Sequence, residues 1–151
     1  MGQETSKEEK YLSIIVTARN DNHGGNMLHR MQLFVNGIFA QSKKYSLDTE
    51  LIIVEWNPPS DKPGLAEELS WPDEHDFCTV CIIEVPPEIH QRYQYADKLP
   101  LYQMIAKNVG ITKRIEEKLG FSVKIPEEPQ IIGALGAAIF AKEILCKGKP
   151  A

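Results

Sequence analysis

Three short apolar stretches rich in β-branched residues divide the first part of the chain, and they occupy residues 11–18, 50–56 and 79–85. Continuous apolar runs of this length are typical of strands that are covered on both faces, as in a parallel sheet. Each run ends at strand-breaking residues: a polar turn with Gly24 and Gly25 follows the first run, and proline pairs follow the other two. The pattern therefore predicts three buried strands.

Helical periodicity fills the intervals between these runs. Apolar residues recur at three- and four-residue spacing from Met27 to Phe39, which predicts an amphipathic helix that fades near Lys44, with Asn26 as its N-cap. Gly120 is placed to end a later helix. The further predicted elements are helices at residues 65–69, 101–107, 111–119 and 131–145 and a strand at residues 121–125.

The alternation of strands and helices is typical of a doubly wound parallel sheet. We expect the α/β class, with a three-layer sandwich around a mostly parallel sheet of about four strands. A chain of 151 residues suits one domain. Residues 1–10 are expected to form a polar leader, and residues 11–146 a single α/β domain.

Charge and composition narrow the classes of partner. The formal net charge of −4 is small and evenly spread, so no nucleic acid partner is expected. No apolar run approaches the roughly 18 residues that span a bilayer, so no membrane partner is expected either. Three cysteines in ordinary apolar contexts fit a reducing compartment, and a cytoplasmic location is expected. No pattern predicts an oligomeric state.

Several segments between residues 11 and 111 share one order with a known family. They read VTARND with HGGN, then RMQLF, ELIIVEWNPP, VPPEIH and LPLYQMIAKNVG. Together they resemble bacterial glycosyltransferase-like proteins of the GT-A type. The resemblance implies the amino-terminal half of that fold, a Rossmann-like sheet that holds a nucleoside diphosphate sugar.

The same resemblance implies nucleotide-binding positions. Arg19, Asn20 and Asp21 end the first strand where the nucleotide sits, and Glu55 takes the position near the base or ribose. Ligands of open α/β sheets do gather at the carboxyl ends of strands, where an arginine can pair with a diphosphate. The remaining residues expected to contact the nucleotide sugar are Gly24, Gly25, Asn57 and Lys107.

The chain departs from the family after Gly110. The family continues to an aspartate motif that binds a divalent cation, but no aspartate follows Asp97 here. Without those carboxylates the cation lacks its usual ligands, so no metal site is expected. The acceptor-binding half is also missing. The resemblance therefore predicts a nucleotide-sugar-binding domain without complete catalytic machinery, and it assigns no catalytic residue.

The tail resembles a second family. Residues 108–146, which include IPEEPQIIGALGAA, are similar to the carboxyl end of the ATPase activators of 2-hydroxyacyl-CoA dehydratases. The two resemblances meet at residues 106–110, and a chimera is inferred, with residues 11–110 from one source and 111–146 from the other. This leaves two alternative functions open: an adenine-nucleotide-binding fragment, and a structural or interaction module with no small-molecule ligand.

Six residues have competing interpretations. Cys78 and Cys81 form a C-x-x-C, but they lie in a strand pattern that points their side chains to opposite faces, which favours buried structural cysteines over a redox or zinc site. His23 is either a phosphate or metal contact or a solvated turn residue. His90 is expected to pack or cap a loop rather than to serve a site. The Gly24–Gly25 pair either cradles a diphosphate before a helix or serves only the turn.

Overall fold

A computed structural model describes residues 10–72, 77–120 and 122. The elements in chain order are β1 (Leu12–Ala18), α1 (Met27–Tyr45), β2 (Thr49–Trp56), α2 (Leu65–Glu68), β3 (Cys78–Val85), α3 (Pro87–His90) and α4 (Gln103–Leu119). The three strands, α1 and α2 therefore form where the sequence predicts them. The predicted strand at residues 121–125 and the predicted helix at 131–145 lie outside the described residues, apart from Ser122.

The three strands form one parallel sheet in the order β1-β2-β3. Leu12 is opposite Thr49 in the first pair, and Thr49 is opposite Cys78 in the second. The carboxyl ends of all three strands therefore lie at the same end of the sheet. The α/β class and the parallel sheet are thus confirmed.

Side chains of the central strand alternate between two apolar layers, as the pleat requires. Leu51 and Ile53 share a buried cluster with Val35 and Phe39 of α1. Ile52 and Val54 belong to a separate cluster with Ala106 of α4. The four β2 side chains are at most 1 % exposed, since helices cover the sheet on both faces. The arrangement is the expected three-layer sandwich.

Helix α4 is continuous where two helices were predicted, and Gly110 lies inside it. A Cβ atom at Gly110 would come within 2.6 Å of Ile15 Cγ2 and 3.2 Å of Val54 Cγ2. The glycine therefore marks the point where the helix backbone meets the sheet, and not a break between helices. Close packing outweighs the cost of glycine in a helix, about 1 kcal/mol relative to alanine.

The ends of the helices show two further differences from expectation. Asn26 occupies the N-cap position of α1 in a left-handed conformation without a side-chain cap, and Asn22 Oδ1 instead accepts a hydrogen bond from Met27 N–H at 3.2 Å. The short helix α3 was not predicted, although a proline in its first turn suits a helix start. Gly120 does end α4, with φ +73° and a hydrogen bond from its N–H to the Glu116 carbonyl.

The chain divides into two compact units, Met1–Arg114 and Ile115–Ala151. The sheet, α1 and every predicted nucleotide-binding residue belong to the first unit. The expectation of one domain over residues 11–146 stays a prediction. Within the described ranges, no helix combines the length and the apolar character that crossing a bilayer requires.

Candidate functional site

The loop between β1 and α1 is built from residues that tolerate positive φ. Asn22, Gly24, Gly25 and Asn26 have φ values of 61°, 72°, 72° and 50°. Arg30 closes the turn from the first part of α1, because its Nη2 donates to the His23 carbonyl at 2.6 Å and its Nε to the Gly25 carbonyl at 3.1 Å. The glycine pair is therefore required by the turn itself.

Successive residues of this loop line two different cavities. Arg19, Asp21 and His23 line one cavity, whereas Asn20 and Asn22 line another. The loop is thus a partition, with ionisable side chains on one side and amides on the other. We name the two cavities the cationic cleft and the amide pocket.

The cationic cleft lies at the carboxyl end of β1, between α1 and the residues that lead into α4. Its volume is about 670 Å³. Ionisable groups come from the β1–α1 loop and from Arg30, and apolar groups come from both helical layers. The lining residues are Thr17, Ala18, Arg19, Asp21, His23, Met27, Arg30, Met31, Leu99, Pro100, Leu101 and Gln103.

Arg19 is held in the cleft by two bonds. Its Nε donates to the Asn57 carbonyl at 2.6 Å, and its Nη1 pairs with Asp21 Oδ2 at 2.8 Å. Burial raises the pKa of the Asp21 carboxyl, but hydrogen bonds from Arg19 and from the His23 backbone N–H, together with the charges of both residues, lower it more, so the pKa lies below its usual value. Asp21 is therefore ionised at neutral pH and fixes one edge of the guanidinium.

Asn57 joins three parts of the site without lining the cleft. Its N–H donates to the Val85 carbonyl at 2.7 Å, its carbonyl accepts from Arg19, and its Nδ2 donates to the Pro100 carbonyl at 3.2 Å. The backbone there has φ +50°, which asparagine tolerates better than most residues. Asn57 thus positions two walls of the cleft.

A buried aromatic cluster supports the wall around Pro100. Trp56 Nε1 donates to His90 Nδ1 at 2.8 Å, and His90 Nε2 lies 3.0 Å from the Ala96 carbonyl. Because indole can only donate, His90 Nδ1 must be unprotonated and Nε2–H must donate to Ala96. The ring of Tyr102 packs against both Trp56 and His90. The expectation that His90 packs a loop is confirmed.

Glu55 lies apart from the cationic cleft. Its side chain is 1 % exposed and points toward α2, where Oε2 accepts from Leu65 N–H at 2.8 Å. Oε1 is buried and has no hydrogen-bond partner among the described residues. Burial raises the pKa of the Glu55 carboxyl, the Leu65 N–H opposes that shift, and the charge of Glu84 adds to it. The residues that line the cleft do not include Glu55.

The other predicted residues are distributed around the cleft. Asn20 is 4 % exposed and donates from Nδ2 to the Pro63 carbonyl at 3.0 Å, on the side of the amide pocket. Gly24 and Gly25 shape the turn beside His23. Lys107 lies one helical turn beyond Gln103 on α4 and is not among the lining residues.

The two cysteines of the C-x-x-C point to opposite faces, as predicted, but only Cys78 is fully buried. Cys78 is buried in the layer that contains Phe39, and Cys81 packs in the opposite layer, so the two side chains lie on different faces of β3. Burial raises the pKa of the Cys78 thiol and outweighs the opposing effects of Ser42 and Lys10. A thiol of this kind is a poor nucleophile.

Sequence reasoning missed several groups in the cleft, above all Arg30 and the wall from Leu99 to Gln103. The signal for Arg30 was its spacing: one helical turn after Met27, it can reach back over the glycine pair.

Among the described side chains, no three His, Cys, Asp or Glu residues are grouped closely enough to hold a metal ion. Comparisons of the chain with protein-family models, with curated proteins and with solved structures find no match.

Proposed function

We propose that the cationic cleft binds the diphosphate of a nucleoside diphosphate sugar. The observation that carries this proposal is the convergence of two guanidinium groups, Arg19 and Arg30, with the His23 side chain on one cleft. Guanidinium groups bind phosphate oxygens through strong charge-assisted hydrogen bonds.

The balance of charge in the cleft favours an anion. Among the described residues that line the cleft, Asp21 is the one carboxylate, and it is already paired with Arg19 at 2.8 Å. Within the described part of the chain, Arg30 is held by backbone carbonyls and has no carboxylate partner. One full positive charge therefore remains for a ligand, with His23 beside it.

The place of the cleft in the fold also supports the proposal. Ligands of open α/β sheets bind beyond the carboxyl ends of strands, where connections leave for opposite faces. Here α1 follows β1 on one face and α4 follows β3 on the other. In a Rossmann-like sheet of the GT-A kind, the side of β1 that faces away from β2 would be this crossover point. Met27, Met31 and Leu101 supply apolar surface for a base.

The proposal concerns binding, and it assigns no group-transfer step. The resemblance provides no metal-binding aspartate after Asp97, and no catalytic base is identified in the cleft. A nucleotide-sugar-binding domain, similar to half of a glycosyltransferase, is the function that these residues support best.

Isothermal titration with UDP, GDP and ATP, each with and without Mg²⁺, tests the proposal directly. We expect binding of UDP or GDP, and a free energy of unfolding that rises by about 2.7 kcal/mol at a ligand concentration of 100 times Kd. Arg19→Gln and Arg30→Gln should each weaken binding by about 10- to 100-fold, since a hydrogen bond to a charged group contributes about 1.5–3 kcal/mol.

The matched control is Arg92→Gln, which removes the same charge from an exposed residue outside the cleft. Its affinity should stay within about twofold of the parent, because exposed distant charges are screened by salt. A cooperative melt that none of the three nucleotides shifts would contradict the proposal and favour a structural or interaction module. Binding of ATP alone would favour the adenine-nucleotide alternative; of its matching residues 108–146, those at 121 and 123–146 lie outside the described residues.

A further inference from the structure

The amide pocket lies on the other side of the β1–α1 loop and has no role in the proposed diphosphate site. Its volume is about 400 Å³. Met27 lines both cavities, so the pocket adjoins the cationic cleft at the start of α1. The polar side chains that line it are Asn20, Asn22, Asn26, His29, Lys62 and Glu68.

The chemistry of this lining differs from that of the cleft. Three amides, one cation, one carboxylate and one imidazole give no excess formal charge, so the pocket does not select for an anion. Amides both donate and accept hydrogen bonds, which matches a ligand group that does the same, such as a sugar hydroxyl. The apolar side chains of Met27, Leu28 and Pro63 add surface for the carbon face of a ring.

Two of the amides are fixed by the fold. The Asn20 side chain is more than nine-tenths buried and its Nδ2 is engaged with the Pro63 carbonyl, which leaves Oδ1 to accept. Asn22 uses Oδ1 to cap α1, which leaves its Nδ2 to donate. The residues that line the pocket thus include two amides whose orientation is set by these bonds. Ordering such groups before binding reduces the entropy that a ligand must overcome.

We propose that the amide pocket binds a neutral, hydroxyl-rich glycosyl group. The inference rests on the proposed function: the two cavities share Met27, and a sugar joined to a diphosphate in the cleft would enter the pocket at that residue. A free glycoside could supply the same hydroxyl groups, and the experiment below separates these two sources.

The first arm compares nucleotide sugars with their nucleotide. UDP, UDP-glucose, UDP-galactose and UDP-N-acetylglucosamine are titrated into the full chain. At least one UDP-sugar should bind about 10-fold more tightly than UDP, a gain of about 1.4 kcal/mol. The double variant His29→Ala/Lys62→Met, which alters two exposed side chains of the pocket, should abolish this gain and keep the affinity for UDP within about twofold. Lys44→Met carries the same charge change as Lys62→Met outside the pocket and should preserve the gain.

The second arm uses free glucose, galactose and N-acetylglucosamine at millimolar concentration, followed by the backbone amide resonances of Asn22, Leu28 and His29. Shifts of these resonances, lost in the double variant, show that the pocket accepts a free glycosyl group. If UDP binds but no attached sugar adds affinity and no free sugar shifts these resonances, the inference is overturned while the proposed function stands. If UDP does not bind, the proposed function fails, and the titration with free sugars alone tests the glycosyl site. Shifts of the three amide resonances would support a glycosyl site in the amide pocket, and unchanged resonances would reject it.

Discussion

Replacing Gly110 with alanine tests the packing that holds α4 against the sheet. The new methyl would lie 2.6 Å from Ile15 Cγ2, 3.2 Å from Val54 Cγ2 and 3.5 Å from Ile52 Cγ2. Carbon atoms in contact prefer separations of about 3.5–4.0 Å. The helix must therefore withdraw from β1 by roughly 1 Å, or the branched side chains beneath it must leave their rotamers.

Two opposing effects set the magnitude. Overpacking of a well-filled core costs typically about 1–3 kcal/mol, whereas alanine in place of glycine within a helix contributes about 1 kcal/mol of stability. We expect Gly110→Ala to lower the free energy of unfolding by up to about 2 kcal/mol.

Gly37→Ala is the matched control, because Gly37 also lies inside a helix but a Cβ there meets nothing within 4 Å. It should raise the free energy of unfolding by about 0.5–1 kcal/mol. The assay is urea unfolding followed by circular dichroism, with equal m-values required of all three proteins. Equal stabilisation by both substitutions would refute the close approach of α4 to the sheet.

Two further predictions concern buried polar groups. Because burial raises the pKa of Glu55, its contribution to stability is present below the ordinary value near 4.5 and is lost as the pH rises through the folded-state pKa. Urea unfolding between pH 4 and 8 should show the parent losing stability relative to Glu55→Gln as the pH rises, and parallel curves would contradict the buried position. Trp56→Phe leaves His90 Nδ1 unpaired and should cost about 1–3 kcal/mol. In a cycle of Trp56→Phe and His90→Phe, the double variant should cost about 1 kcal/mol less than the sum of the singles, and additive costs would contradict the bond.

The regular elements were predictable because their signals are local. The apolar runs of the three strands and the spacing from Met27 to Phe39 reflect burial on defined faces, and the structure has each element in place. The break predicted in α4 was wrong for a physical reason. Helix propensity reflects only the local backbone entropy of Gly110. In the structure, the absence of a side chain at Gly110 lets the helix backbone approach Ile15, a residue 95 positions earlier in the sequence.

The site was predictable only in part. The end of a strand can be recognised from the local sequence, whereas the direction of a side chain in the site depends on the residues packed around it. Arg19 and Asp21 line one cavity at the end of β1, and the prediction that a nucleotide binds there stays a prediction. Glu55 does not line this cavity, because it follows Leu51 and Ile53 at intervals of two and therefore points into the layer of α1 and α2. The alternation of side chains along β2 already indicates that Glu55 lies on the same face as Leu51 and Ile53. In the structure this is the face that Leu65 covers.

Asn57 shows why the rest could not be found from residue type. It was predicted as a ligand contact, and that stays a prediction; in the structure its N–H, carbonyl and side-chain amide bind Val85, Arg19 and Pro100. One residue after β2 therefore sets both the direction of the cationic group and the position of the opposite wall. Its effect on a ligand would be indirect, because no wall of the cleft includes it. Under the proposed function, the affinity of the cleft would therefore depend on the order of the turn after β2. That order rests on Asn57, a left-handed residue with three simultaneous hydrogen-bond partners. Residue type alone does not reveal such a set of partners.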